Sequence, residues 1–191
     1  METLTKSEVQ IRAEELIERI HAGEVFVHPT DTIYGIGCNA QDERAVKKVR
    51  KLKERKDAPF SIWAPSKAWI KEQCAVTKEG EKWIEKLPGP YTLVFKLKNK
   101  NAIAPSVCMG ADTVGVRIPH NWFHRVVELA GVPIITTSAN RTGKQFMTSL
   151  ENLDKDIKNG VRFIVYEGEK SGKPSNIVHL ADKVKVVERT R

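Results

Sequence analysis

The side chains able to do chemistry fall in a few short segments. His28-Pro29-Thr30-Asp31-Thr32-Ile33-Tyr34-Gly35 sets hydroxyls and a carboxylate on a connection between two extended runs. Such groups either bind a polar ligand or close an Asx/ST turn on their own backbone. Lys53-Glu54-Arg55 closes a basic run that also holds Lys47, Lys48, Arg50, Lys51 and Lys56. A run of this kind is ordinarily a solvated helix face, and Lys47, Lys48, Arg50 and Lys51 fit that reading. Lys53 and Arg55 lie past the last apolar position, where they are freer to converge on a ligand. Thr113-Val114-Gly115-Val116-Arg117-Ile118-Pro119 places an arginine among apolar strand residues. Arg117 must find an anion or lie at a sheet edge, because a buried unpaired charge is costly. Its guanidinium suits bidentate recognition of carboxylate or phosphate. Thr136-Thr137-Ser138-Ala139-Asn140 ends an apolar run. It is either a polar turn or one of the strand ends beyond which α/β sheets bind ligands.

Several familiar site patterns are missing. Gly168-Glu169-Lys170-Ser171-Gly172-Lys173 has too few residues between its glycines for a phosphate loop, and Pro174 stands where Ser or Thr should follow the lysine. There is no GxSxG, HExxH or GxGxxG. The five histidines lack metal-ligand spacing and read as structural or surface residues. Cys38, Cys74 and Cys108 form no CxxC pair and read as buried thiols in a reducing cytosol.

The elements that must position these segments follow from periodicity. Ser7 and Gln10 form a capping box for a first helix, with Val9, Ala13, Leu16, Ile17 and Ile20 on one face and Gly23 as its stop. Extended runs are expected at 24–28 and 33–37. Asp42 caps a helix whose Ala45, Val46, Val49 and Leu52 face inward. A strand at 60–64, helices at 67–73 and 78–86, and strands at 92–98 and 113–118 follow. Asn121 caps a helix closed by Gly131, and residues 133–137 form a buried strand. Thr148 and Glu151 form a second capping box. Strands at 161–166, 176–180 and 184–188 complete the chain. Helices and strands interleave without strict alternation. That predicts a mixed α/β (α+β) fold: one twisted mixed sheet flanked by helices.

The chain has 191 residues, 40% of them hydrophobic and 29% charged. This suits one ordinary globular domain, 1–191, able to bury a core without disulfides or metal. The polar N-terminal stretch is no signal peptide, and no run is long enough to span a membrane; a cytoplasmic location is expected. A net charge of +8 points to anionic partners such as nucleic acid, nucleotide phosphates or a small anionic substrate, without choosing among them.

Taken in order, PTDTIYGIG, KxR, PGPYT, TVGVRIP, TSAN and PSNIV resemble the YrdC/TsaC family of threonylcarbamoyl-AMP synthases from about Val25 to Arg189. The resemblance implies a mixed α/β fold around a large concave basic cavity. It implies conversion of L-threonine, bicarbonate and ATP to threonylcarbamoyl-AMP and pyrophosphate. A separate transferase then passes the threonylcarbamoyl group to tRNA. The family's KxR pattern matches Lys53 and Arg55, and its SxN pattern matches Ser138 and Asn140; these four are the catalytic candidates. ATP contacts are expected at Lys53, Arg55, Thr113, Ser138, Asn140 and Arg189, and threonine contacts at Thr32, Arg117, Thr136 and Ser175. No protein metal site is implied; Mg²⁺ would arrive with ATP on phosphate oxygens and water. The chain departs from the family at Trp63, where a histidine is usual, and at Lys56, where proline is usual. It also stops at Arg191, without the additional C-terminal domain of longer relatives. Trp63 is expected to give the site an apolar wall or a stacking surface.

All the reactants are anionic, so the site needs cations and oriented donors rather than a covalent nucleophile. Two other readings stand beside this one. A carbamoyl-adenylating domain of the hydrogenase-maturation type would use carbamoyl phosphate. A non-catalytic RNA-binding module would use the basic surface alone, through weak, salt-sensitive contacts.

Overall fold

The computed structural model describes residues 1–182 and 184–189. The fold is mixed α/β, but its strands form two sheets instead of the expected single one. The first sheet contains β1 (Glu2–Leu4), β2 (Phe26–His28), β3 (Gly35–Gly37), β9 (Thr137–Ser138) and β10 (Phe163–Val165), in the order β1-β10-β2-β3-β9. The second contains β4 (Ser61–Trp63), β5 (Cys74–Ala75), β6 (Tyr91–Leu97), β7 (Thr113–Arg117), β8 (Ile134–Ile135), β11 (Asn176–His179) and β12 (Lys185–Val187). Its order is β12-β11-β6-β7-β4-β8, with β5 beside β6.

The switch between sheets occurs at Thr136. Ile134 and Ile135 pair antiparallel with Trp63 and Ile62, and Thr136 still donates its N–H to Ser61 O. Thr137 and Ser138 then pair with Ile36 and Gly35 in the other sheet. The sequence reads as one continuous strand because a single residue makes the crossing.

The helices are α1 (Lys6–Ile11), α2 (Ala13–His21), α3 (Glu43–Lys53), α4 (Lys67–Gln73), α5 (Lys78–Glu85), α6 (Pro105–Cys108), α7 (His124–Ala130) and α8 (Lys155–Gly160). The expected first helix is split at Arg12, and its capping box is Thr5 with Glu8, not Ser7 with Gln10. Thr5 follows β1 directly, and that strand went unread in the sequence. Asp42 caps α3 as expected, accepting from Arg44 N and Ala45 N. Asn121 Oδ1 accepts from Phe123 N, one turn ahead of α7. No helix begins at Thr148: Asn152 Oδ1 accepts from Thr148 N and Ser149 N to close a turn, and Asp154 caps α8.

Two hydrophobic clusters hold the layers. The larger includes Val25, Val27, Tyr34, Ile36, Val46, Val49, Phe60, Ile62, Leu93 and Phe95. The smaller gathers Phe26, Trp63, Phe123 and Phe163 with Leu16, Ile20 and Val127. Each fully buried side chain of this size stabilises the fold by about 1.5–3 kcal/mol. Phe26 stacks on Phe163 at 4.8 Å, and His28 lies parallel to Phe123 at 5.7 Å. The first sheet is thereby fixed over α7, with the 29–34 connection at the edge of the space between the sheets.

Candidate active site

A cavity of about 630 Å³ is lined by residues of both sheets. One sheet and its connections supply Thr30, Thr32, Tyr34, Thr137 and Ser138; the other supplies Ser61, Thr92, Thr113, Gly115 and Arg117. Thr136, the crossing residue, lies between them. The strand pleat explains the pattern: Thr113, Gly115 and Arg117 share one face of β7, and Thr92 and Val94 share one face of β6.

The 29–34 connection closes a hydroxyl turn and also lines the cavity. Thr30 Oγ1 accepts from Thr32 N at 3.1 Å and Ile33 N at 3.2 Å and donates to Ile33 O at 2.6 Å. Arg117 finds an anion, one of the two outcomes its strand context allowed. Its Nη2 donates to Asp31 Oδ1 at 3.0 Å and to Thr32 Oγ1 at 3.3 Å. Burial pushes the Arg117 pKa down to about 10, with Asp31 opposing the shift. Across the cavity, Ser175 Oγ and Thr92 Oγ1 share a hydrogen bond at 2.7 Å. Arg189 donates to Ser175 O at 2.7 Å and Ser175 Oγ at 2.9 Å. Burial lowers the Arg189 pKa, and the positive charge of Arg55 lowers it further.

Arg55 lies at the rim, where Nε donates to Ala58 O and Nη2 to Pro59 O. Neither Arg55 nor Arg189 forms an ion pair among the described residues. The carboxylate lining this cavity, Asp182, is 3.1 Å from Lys96 Nζ. The cavity therefore holds three guanidinium groups, and among the described residues only Arg117 has a carboxylate partner. Anionic ligands would be favoured there.

Of the sequence candidates, Thr32, Arg55, Thr113, Arg117, Thr136, Ser138, Ser175 and Arg189 line this one cavity. Lys53 and Asn140 do not line it. Lys53 is 1% exposed, and its Nζ donates to Ser138 O, Asn140 O and Asn140 Oδ1. Ser138 Oγ also donates to Asn140 Oδ1. Burial, and secondarily the charge of Arg55, push the Lys53 pKa down to about 7. Lys53 thus fixes the 138–140 turn from behind, and is not freed beyond the helix to meet a ligand. Arg50 likewise leaves the expected solvated face: it is buried and donates to Ser106 O, Arg55 O, Ala58 O and Val107 O. Lys47, Lys48 and Lys51 are exposed as expected.

Trp63 gives the cavity neither wall nor stacking surface. It is fully buried in the aromatic cluster, with Nε1 donating to His124 Nδ1 at 3.0 Å. Ser61, two residues earlier on the same strand face, lines the cavity instead. Sequence reasoning also passed over Thr92, Tyr34, Phe146 and the ion-pair role of Asp31. Thr92 was legible in principle, from strand alternation with Val94. Tyr34 Oη donates to Gly168 O at 2.6 Å and accepts from Glu167 N at 3.0 Å, anchoring the segment that leads to Ser175.

Among the described residues, no cluster of His, Cys, Asp or Glu side chains is placed to hold a metal ion. No helix among them is long and apolar enough to cross a membrane.

Two mixed sheets enclosing a cationic, hydroxyl-lined cavity of this volume define a small-molecule-binding α/β protein suited to anionic ligands. The chain belongs to the Sua5/YciO/YrdC family, described as "Telomere recombination", which matches residues 18–190. A Methanocaldococcus jannaschii relative is 38% identical over 172 residues, 88% of this chain and 80% of its own length. A Pyrococcus abyssi relative named threonylcarbamoyl-AMP synthase is 34% identical over 169 residues, 85% of this chain and 49% of its own. The solved structure of P. abyssi Sua5 complexed with L-threonine superposes with a TM-score of 0.83 at 29% identity, covering 94% of this chain and 54% of that one. The chain thus spans about half the length of the P. abyssi protein.

Proposed function

We propose that this protein is an L-threonylcarbamoyladenylate synthase, a nucleotidyltransferase. The observation that carries the reading is the single cavity joining Thr32, Arg117, Thr136 and Ser175 to Arg55, Thr113, Ser138 and Arg189. The P. abyssi relative's name and its complex with L-threonine support the same reading.

Threonine lies at the Arg117 end, its carboxylate facing the guanidinium and its hydroxyl among Thr32, Thr136 and Ser175. The triphosphate of ATP lies toward Arg55 and Arg189, with Thr113 and Ser138 as hydroxyl partners. The threonine amine and bicarbonate give a carbamate and water. A carbamate oxygen attacks the α-phosphorus, the bond to the bridging oxygen breaks, and pyrophosphate leaves. Hydrogen bonds to charged groups contribute about 1.5–3 kcal/mol each, so a few fixed donors suffice to position the reactants. Lys53 and Asn140 act at one remove, by holding Ser138. Mg²⁺ would enter as part of the MgATP substrate, on phosphate oxygens and water. The product then serves a separate transferase acting on tRNA, and the exposed Lys47, Lys48 and Lys51 favour only weak, salt-sensitive RNA contact.

Purified protein given Mg²⁺-ATP, L-threonine and bicarbonate is expected to release pyrophosphate only when all are present. Pyrophosphate release that is independent of threonine, or carbamoyl phosphate replacing threonine and bicarbonate, would move the assignment to a carbamoyl-adenylating enzyme.

A further inference from the structure

We infer that Asp31 is a positioning residue that fixes the Arg117 guanidinium for the carboxylate of the amino-acid substrate. The inference rests on the threonine end of the cavity as proposed above. Asp31 lies on the connection between β2 and β3 of one sheet, and Arg117 ends β7 of the other. The two carboxylate oxygens have separate tasks. Oδ1 accepts from Arg117 Nη2 at 3.0 Å, and Oδ2 accepts from His120 N at 2.9 Å. His120 follows β7 by a short Ile118-Pro119 step, so Asp31 grips both the side chain and the backbone beyond it.

The guanidinium is held by one nitrogen only. Nη2 carries the bonds to Asp31 and Thr32, while Nε is buried without any partner. Nη1 makes no hydrogen bond among the described residues. A buried donor left unpaired is uncommon and asks for an explanation. Nε shares its edge with Nη2, which Asp31 and Thr32 already occupy, so Nη1 is the donor left for an oxygen of the substrate carboxylate. Without Asp31, the long arginine side chain would have no anion to set its angle, and its charge would be buried unpaired. The side chains of both partners are nearly buried, at 7% and 11% exposure, so water cannot readily take over that task.

The test is Asp31→Asn. The amide keeps the shape and can still accept from His120 N–H through its oxygen, while the charge facing Arg117 is lost. KM for threonine is expected to rise at least tenfold, with KM for ATP within about twofold of wild type. In proton–nitrogen spectra, the Arg117 Nε–Hε signal should be sharp and separate in the wild type, shift with L-threonine, and average toward the other arginines in Asp31→Asn. Asp31→Glu should recover part of the distinct signal. An unaltered Arg117 signal and threonine KM in Asp31→Asn would overturn the inference. So would equal losses in threonine and ATP affinity, which would make Asp31 a general clamp between the sheets. If the wild-type protein consumes no threonine, the synthase reading fails and the substrate half of this inference falls with it. The Arg117 signal alone still decides whether Asp31 fixes the guanidinium.

Discussion

Replacing Gly172 by alanine probes how closely the cavity wall is fitted. Gly172 has ordinary negative-φ or extended backbone, outside the left-handed region, so alanine adds no backbone strain there. The difficulty is space. A Cβ at Gly172 would lie 2.1 Å from Thr32 O, whereas real Cβ contacts essentially never fall below 3.0 Å. The obstacle is main chain, not a flexible side-chain tip, so the 167–175 segment and the 30–32 turn must separate by roughly 1 Å. Thr32 and Ser175, on either side of this contact, both line the cavity. Misplacing a positioning group by about 1 Å can cost about 100-fold in rate, or about 2.7 kcal/mol in the barrier. Gly172→Ala is therefore expected to lower kcat/KM for threonine by about that factor. Binding of ATP alone, centred on Arg55 and Ser138, should change little. Tyr34 still holds the segment through Gly168 and Glu167, so the fold should persist in circular dichroism. Wild-type kinetics for threonine in a folded Gly172→Ala protein would refute the reasoning that this contact sets the cavity.

Three further perturbations separate cavity from support. Lys53→Met strands Asn140 O, at about 1–3 kcal/mol for an unsatisfied carbonyl, while Ser138 O keeps the N–H of Asn140; relief of the buried charge offsets part of this, leaving a net loss of roughly 1 kcal/mol in denaturant unfolding. It should also cut kcat/KM at least tenfold by loosening Ser138, and undiminished activity would show that the turn does not depend on the lysine. Trp63→Phe loses the bond to His124 and about 1 kcal/mol of stability, with KM values within about twofold of wild type; a large KM change would return the indole to the site. His28 is buried between Phe123 and the β3 glycines, and burial pushes its pKa down from 6.5 to about 4. The unfolded chain binds that proton more readily, so the contribution is complete above pH 6.5 and is lost as pH falls toward 4, by about 3 kcal/mol. Unfolding free energies measured across that range should slope accordingly, and His28→Leu should flatten the slope; an unchanged slope would assign the acid sensitivity to other groups.

Much of the site was legible because its residues break local rules. An arginine among the apolar residues of β7 had either to meet an anion or to lie at a sheet edge, and it meets Asp31. Its partner lies 86 residues away, and no local pattern names a carboxylate at that distance. The basic run on α3 was misread for a different reason. Lys53 follows Val49 by one helical step of four, and Arg50 follows Val46 by the same step, so both share the buried face. Composition pointed Arg50 outward and left Lys53 free for a ligand, while the helical period already pointed both inward. The mixed α/β class followed from the interleaved elements, whereas the second sheet depends on the crossing at Thr136, which hydrophobicity does not mark. Trp63 shows a similar limit. Strand alternation put it on the same face as Ser61, but only packing decides that Ser61 meets the cavity and Trp63 meets Phe123 and His124.

The most direct measurement of the central claim is mass spectrometry of the adenylated product formed from Mg²⁺-ATP, L-threonine and carbon-13 bicarbonate. The account predicts threonylcarbamoyl-AMP carrying the label in its carbamoyl carbon, formed together with pyrophosphate and absent when threonine is omitted. An adenylated product without the label, or pyrophosphate released with no threonine-containing product, would contradict it.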